Sequence, residues 1–265
     1  MMQPIGLYSI SVRGLAVPDL LAWAAACGMP FVHLRGGARG VGLTAQSDDT
    51  VRAWARVARE TVPITGVTAD VELADLLIGG SAVRWQAAQE VTRLARATRT
   101  LGGAWVRLLA RTPLTCRQLT GAAALPAAEV PLLAEIHHPQ WMSTDVLTAL
   151  LDASGPTGGL RLLADTAQLA AALPADLPAT ASGAVPAWLD LIAEHALVLH
   201  LSDPGTGLTG CGPALVAAAV QARIHHGLPL QVAVEWTGPD RSPRACLARY
   251  RAATAWWRTM QGRRR

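Results

Sequence analysis

Lysine and asparagine are absent from this chain of 265 residues. All 23 basic residues are therefore arginine. Without a lysine amine no side-chain Schiff base can form, which excludes lysine-dependent aldolase and pyridoxal chemistry. With alanine abundant, the missing asparagine reads as compositional bias rather than function. Charged residues are scarce, 16% against 51% hydrophobic, so the chain can bury a sizeable core and is not disordered. Cysteine is sparse as well. Cys27, Cys116, Cys211 and Cys246 stand far apart without a CxxC pair and read as reduced thiols. No apolar run reaches membrane-spanning length. A strand-like Ile5–Val12 leaves no room for a signal peptide, so a cytoplasmic location with no membrane partner is expected. The net charge is only +4, and three of the arginines are the terminal Arg263, Arg264 and Arg265. The others spread along predicted helices as a solvated face would, which leaves no nucleic-acid footprint.

What is present is a repeated strand and helix. Short apolar runs, the mark of strands buried on both faces of a parallel sheet, occur at Ile5–Val12, Phe31–Leu34, Pro63–Asp70, Ala104–Ala110, Val130–His137, Leu160–Asp165, Ala196–Asp203 and Gln231–Glu235. Between them fall predicted helices at Pro18–Gly28, after Ser47-Asp48-Asp49, at Ala82–Leu101, after Ser143-Thr144-Asp145, near Trp188–Glu194, at Pro213–His226 and at Arg244–Met260. The stretch Arg111–Glu129 is weakly patterned, with a short helix at most, and Ala171–Pro186 reads as a surface loop. Eight strands in strict alternation with helices predict an α/β fold, a (β/α)8 barrel, rather than an open doubly wound sheet. One such domain uses residues 1–262, and 263–265 form a basic tail.

Active sites of such barrels sit at the C-terminal ends of the strands. Four consecutive strands there break their apolar runs with a charged or ligating residue: Leu132-Leu133-Ala134-Glu135, Leu162-Leu163-Ala164-Asp165, Leu197-Val198-Leu199-His200 and Val232-Ala233-Val234-Glu235. The spacings of 30, 35 and 35 residues each match one strand-helix repeat. Three converging carboxylates repel without a cation. With one imidazole they suit a single divalent ion: manganese first, with magnesium, cobalt or zinc as alternatives.

The segments "LLAEIHHP", "RLLADTAQL", "LVLHLSD" followed by "LTGCG", and "VAVEWTG" resemble the last four strands of the xylose-isomerase-like TIM barrel superfamily. That group includes sugar isomerases, ketose 3-epimerases, inosose and dehydroshikimate dehydratases, and endonuclease IV. The resemblance implies Glu135, Asp165, His200 and Glu235 as metal ligands, with Glu135 and Glu235 also as acid/base groups on opposite substrate faces. It implies a metal-dependent isomerase or epimerase of a sugar, sugar phosphate or related polyhydroxy compound, working by proton abstraction and an enediolate. A dehydratase or lyase on the same scaffold is the alternative. Endonuclease-like DNA repair and a non-catalytic binding protein rank lower. Three departures stand out. Gln168 holds the place where many relatives carry a histidine, the lysine of true xylose isomerases is missing, and Ser202-Asp203-Pro204 replaces an acidic-then-Arg pair after the seventh-strand histidine.

Further residues near strand ends are candidates for substrate contact. His137 shares a face with Glu135 and either touches substrate or bonds to the loop backbone. His33 and Arg35 end the second strand and either orient substrate or pack the rim. Arg107, inside the fourth strand, either pairs with a carboxylate or binds an anionic substrate group. Asp70 either accepts a substrate hydroxyl or caps a helix. Trp141 and Trp236 either stack on sugar C–H faces or pack over the barrel top. Gln168 joins this set. Gly205, Gly207, Gly210 and Gly212 suggest a mobile loop. The helix with Trp256 and Trp257 offers either an interface between copies of the chain or a cap for the barrel.

Overall fold

A computed structural model describes residues 3–154, 159–173 and 185–262. Eight parallel strands close in sequence order: β1 Ile5–Tyr8, β2 Val32–Arg35, β3 Ile64–Glu72, β4 Val106–Ala110, β5 Leu132–Ile136, β6 Arg161–Asp165, β7 Ala196–Asp203 and β8 Gln231–Trp236. Around them lie α1 Val17–Ala26, α2 Asp48–Glu60, α3 Leu73–Leu77, α4 Ser81–Leu101, α5 Cys116–Thr120, α6 Thr144–Ala153, α7 Thr166–Ala171, α8 Ala187–His195, α9 Cys211–His225 and α10 Pro243–Gly262. The fold is the (β/α)8 barrel expected from the pattern. Part of the expected Ala171–Pro186 loop (174–184) and the basic tail 263–265 lie outside the described residues.

Helix faces and caps follow local chemistry. Ser47 accepts a hydrogen bond from the Thr50 backbone at the start of α2, whose Val51, Ala55 and Ala58 turn inward. Thr115 and Gln118 form a reciprocal capping box, which is what sustains the five-residue α5 in an otherwise weak stretch. Most observed ends lie within two residues of those expected, and the largest strand difference is at β1. β1 stops at Tyr8 because Ser9–Ser11 tighten into a 3-10 turn, whose Ser11 hydroxyl donates to the Val234 carbonyl. The apolar run after β3 folds as the short α3.

The main core lies between the sheet and the helix ring. A second layer fills the barrel itself with Trp105, Leu133, Leu163 and Val198. Two glycines make this possible: a Cβ on Gly6 would fall 2.2 Å from the Phe31 ring, and one on Gly66 would fall 2.0 Å from the Trp105 ring. Trp257 is fully buried in the main core, which packs α10 against the barrel. All four cysteines are free. Among the described residues, no helix is long and apolar enough to cross a membrane.

Candidate metal centre

Side chains alternate along a strand, so residues two apart share a face. On β5 that places Leu133, Glu135 and then His137 on the barrel's inner side. β6 places Leu163 and Asp165 there, β7 Val198 and His200, and β8 Gln231, Ala233 and Glu235. Asp165 pairs directly with His200, whereas Glu135 lies opposite Leu163 and Glu235 opposite Ser202. This stagger is what strand tilt in a closed barrel requires. The result is convergence: one ligating atom from each of Glu135, Asp165, His200 and Glu235 lies within 4.8 Å of the others.

Each carboxylate has a different neighbourhood. The Arg107 side chain pairs with Glu135, Nε to Oε2 at 2.7 Å, and His137 Nε2 stands 3.3 Å from the same oxygen. Burial works to raise the Glu135 pKa, but the Arg107 charge, with His137 and His200, overrides it and holds the group at about 2. Asp165 caps α7, accepting from the backbone of Ala167 and Gln168 at 2.9 Å each. Burial and the charges of Glu235 and Glu135 push it up to about 7. Glu235 lies 2.9 Å from His200 Nδ1, and burial with the Glu135 charge pushes it up to about 8. His200 is lowered to about 4 by burial.

The donor set fits a divalent cation. Three carboxyl groups share one buried site, and burial together with one another's charge forces two of them toward their neutral forms. A cation at the convergence point would relieve the repulsion and let all three ionise. Oxygen donors with one imidazole suit hard or borderline ions.

Other expected residues fall into two groups. His137 reaches the site through Glu135. Arg35 stands at the mouth, 4.0 Å from Asp70 and near enough to Glu235 to lower it slightly. Gln168 sits half-buried in the first turn of α7, its backbone bonded to Asp165. The others are engaged within the protein, and Arg107, Trp141 and Trp236 take the pairing and packing alternatives given above. Arg107 is 6% exposed and engaged with protein: beyond Glu135, Nη1 donates to the Ala69 carbonyl at 2.9 Å and Nη2 to the Tyr8 hydroxyl at 3.4 Å. It therefore orients Glu135, with three of its five N–H groups directed at protein acceptors. Both ring nitrogens of His33 are taken, by His200 at 3.1 Å and Gln231 at 3.0 Å, so it stands behind His200 rather than against substrate. Trp141 is fully buried in the core under its loop and presents no face outward. Trp236 is also buried, its ring covered by the Arg249 guanidinium at 4.5 Å. Asp70 neither caps a helix nor stands free: it binds Arg39 by the backbone N–H at 2.7 Å and by Nε at 3.0 Å, which ties down the loop after β2. Asp203 accepts from the backbones of Gly205 and Gly207 at 2.8 Å each and shapes the glycine loop after β7.

Three contributors were missed from the sequence. Tyr8 stacks on the His200 ring with centroids 4.8 Å apart and shares a 2.6 Å hydrogen bond with Thr68. Gln231 holds His33. Period two counted back from Glu235 and along β1 and β3 points to all three.

No protein-family profile matches this sequence, and no curated protein matches it. Solved structures do. An L-ribulose 3-epimerase superposes with a TM-score of 0.67 at 16% identity, covering 99% of this chain and 97% of its own. The 3-keto-D-glucoside 4-epimerase YcjR of E. coli, in its apo form, gives 0.64 at 13%, covering 97% and 100%. A xylose isomerase-like TIM barrel protein of Mycobacterium smegmatis, in complex with magnesium, gives 0.63 at 13%, covering 98% and 99%. At these identities the likeness is one of architecture: the chain has the fold of the xylose isomerase-like TIM barrels.

Proposed function

We propose that the chain is a metal-dependent isomerase or epimerase of a sugar, sugar phosphate or related polyhydroxy compound, with Glu135, Asp165, His200 and Glu235 holding one divalent ion. The observation that carries this reading is the convergence of those four side chains, within 4.8 Å, at the C-terminal mouth of the barrel. The fold shared with two sugar epimerases and a magnesium-bound barrel supports it.

A bound divalent ion supplies Lewis acidity, which makes a C–H beside a substrate carbonyl easier to deprotonate. The protein supplies the proton handling. Arg107 keeps Glu135 ionised, the state a base needs to accept that proton. Glu235 is the second carboxyl group of the cluster and would return the proton that Glu135 does not. Arg35, His137 and Gln168 are placed to meet substrate hydroxyl or anionic groups beside them.

The test begins with metal content by plasma mass spectrometry, on protein purified without chelator or affinity nickel. About one equivalent per chain is expected, lost in the Glu135→Ala, Glu235→Ala double variant. Absence of metal, together with no thermal stabilisation by added Mn²⁺, Mg²⁺, Co²⁺ or Zn²⁺, would sink the reading. Proton NMR in D₂O with a panel of ketoses and their phosphates then reads the reaction. Deuterium incorporated at the reacting carbon without loss of water marks isomerisation or epimerisation; an unsaturated or deoxy product marks elimination and overturns the isomerase assignment.

A further inference from the structure

The side-chain oxygen of Gln231, at the start of β8, gathers three contacts inside the barrel. Trp105 Nε1 lies at 3.2 Å, Thr65 Oγ1 at 3.0 Å and His33 Nε2 at 3.0 Å. An indole N–H only donates. The amide atom facing Trp105 must therefore be the oxygen, and the amide group has a single admissible orientation. That oxygen only accepts, so His33 Nε2 must carry a hydrogen as well. Among the described residues no carboxylate touches His33, and nothing in contact offsets the cost of a second proton on so buried a ring. Its Nδ1 is then a bare acceptor.

His33 Nδ1 lies 3.1 Å from His200 Nε2. A contact of that length between two ring nitrogens holds one hydrogen, and only His200 is left to supply it. His200 Nε2 keeps its hydrogen whichever of Nδ1 and Glu235 holds the proton between them. The nitrogen directed at the carboxyl cluster, 2.9 Å from Glu235 Oε2, is Nδ1.

We infer that Gln231 and His33 form a positioning relay that fixes the tautomer of His200 and presents its Nδ1 as the metal-binding nitrogen. This rests on the metal-centre reading above. A ligating histidine must offer a lone pair, and the partner of its other nitrogen decides which one it offers. Here the decision begins 3.2 Å from a tryptophan, two hydrogen bonds from His200. Packing keeps the rings in register: His33 meets Trp105 edge to face at 4.7 Å, and Tyr8 stacks on the other ring of the relay at 4.8 Å. Gly66 leaves the space in which Trp105 sits.

The wild-type protein, metal-free and labelled with ¹⁵N-histidine, tests the relay directly by long-range ¹H–¹⁵N correlation. His200 and His33 are assigned by their absence from His200→Gln and His33→Phe. The expected result is a protonated Nε2 on both rings and a bare Nδ1 on His33. A bare Nε2 on His200 overturns the relay. Titration calorimetry with Mn²⁺ reads its consequence. Gln231→Leu and His33→Phe should each weaken Mn²⁺ binding about 10- to 100-fold, the range seen when outer partners of metal ligands are removed. The double variant should lose little more than either alone, since both cut one chain of bonds. Thr65→Val, which leaves the accepting oxygen and Trp105 in place, should leave affinity unchanged. A folded Gln231→Leu protein with wild-type affinity would mean that Gln231 only packs, and would overturn the inference. If neither variant folds, the wild-type ring spectrum still decides. Absence of Mn²⁺ binding by the wild type would remove the metal centre and the purpose of the relay with it, an outcome that spectrum does not share.

Discussion

All four side chains of the candidate metal centre come from β5–β8, whereas Tyr8, His33 and Arg107, packed behind and beside them, come from β1, β2 and β4, and Trp105 from the residue before β4. One half of the barrel carries three acids. The other carries the cation and the rings that hold those acids and their histidine in place. Neither half makes physical sense alone. Buried carboxyl groups need compensation, and a buried Arg107 without Glu135 would be an unpaired charge. The difference teaches where to look for chemistry and where for its support: ligands break the apolar runs of the second half, while the first half works through neutral hydrogen bonds and one ion pair.

The largest effect should come from breaking the ligand half. Glu235→Gln keeps the size of the side chain and removes its ability to exchange a proton. Turnover should fall at least about 10²-fold, the lower range for loss of a general acid or base. The fold should survive, because the change removes one of the crowded carboxyl groups. Initial rates on the substrate identified by NMR, with a thermal melt as control, check both halves of the statement. Full activity would remove Glu235 from the acid/base role.

Next in size is the support half. Arg107→Met leaves Glu135 buried without its cation, and breaking such a pair costs about 3–5 kcal/mol. Equilibrium urea denaturation of the metal-free protein measures this. Adding Glu135→Gln to the same chain should recover much of the loss, since a neutral amide has no charge to compensate. Failure of the double variant to recover would mean that Arg107 matters through its bonds to Ala69 and Tyr8 rather than through charge.

The same division explains what was legible in the sequence. Parallel strands buried on both faces read as apolar runs, so all eight were visible, and a charge ending such a run is conspicuous, so Glu135, Asp165, His200 and Glu235 were too. The supporting residues send no such signal. Tyr8 ends a strand as an ordinary apolar residue would. Gln231 opens a strand, where a polar side chain is commonplace, and its position inside the barrel emerges only from the closed sheet. Trp141 and Trp236 misled for the opposite reason. Each follows a strand end, but whether a loop ring turns outward or inward is set by tertiary packing: the core around Trp141 and Arg249 over Trp236. Arg107 was visible as a buried cation with two readings, and only the 2.7 Å contact with Glu135 decides between them.

A pH series sharpens the comparison at smaller scale. Glu235 and Asp165 bind protons more tightly in the folded, metal-free protein, at about 8 and about 7, than their ordinary values of 4.5 and 3.8. Their contribution to stability is fully present below those ordinary values and is lost as pH rises through 7 to 8. Glu135, held at about 2, acts oppositely: its contribution is present above 4.5 and lost as pH falls toward 2. His200 and His33, lowered by burial, oppose this below pH 6.5, so the melting temperature of the metal-free protein should be lower at pH 9 than at pH 6.5. Because protons and cation compete for the same oxygens, stabilisation by Mn²⁺ should be larger at pH 9. Differential scanning fluorimetry with and without Mn²⁺ checks both signs. A metal-free protein that gains stability between pH 6.5 and 9 would show that the acids are not held in their protonated forms.

The smallest effect separates charge from placement within the supporting half. Tyr8→Phe removes a hydroxyl that accepts from Arg107 at 3.4 Å and shares a 2.6 Å bond with Thr68, and leaves the ring stacked on His200. Burial pushes the phenol up to about 12, so it stays neutral across the whole pH series. Its loss should therefore cost about 0.5–1.5 kcal/mol, the net worth of an ordinary hydrogen bond, equally at pH 5 and pH 9. Arg107 keeps Glu135 and the Ala69 carbonyl, and turnover should change only a fewfold. A loss as large as that of Arg107→Met would place the orienting role in the hydroxyl. A loss that grew with pH would mean that Tyr8 shares in the titration of the acids. A small, flat loss would leave the division as drawn, with one cation against the charge and neutral groups for position.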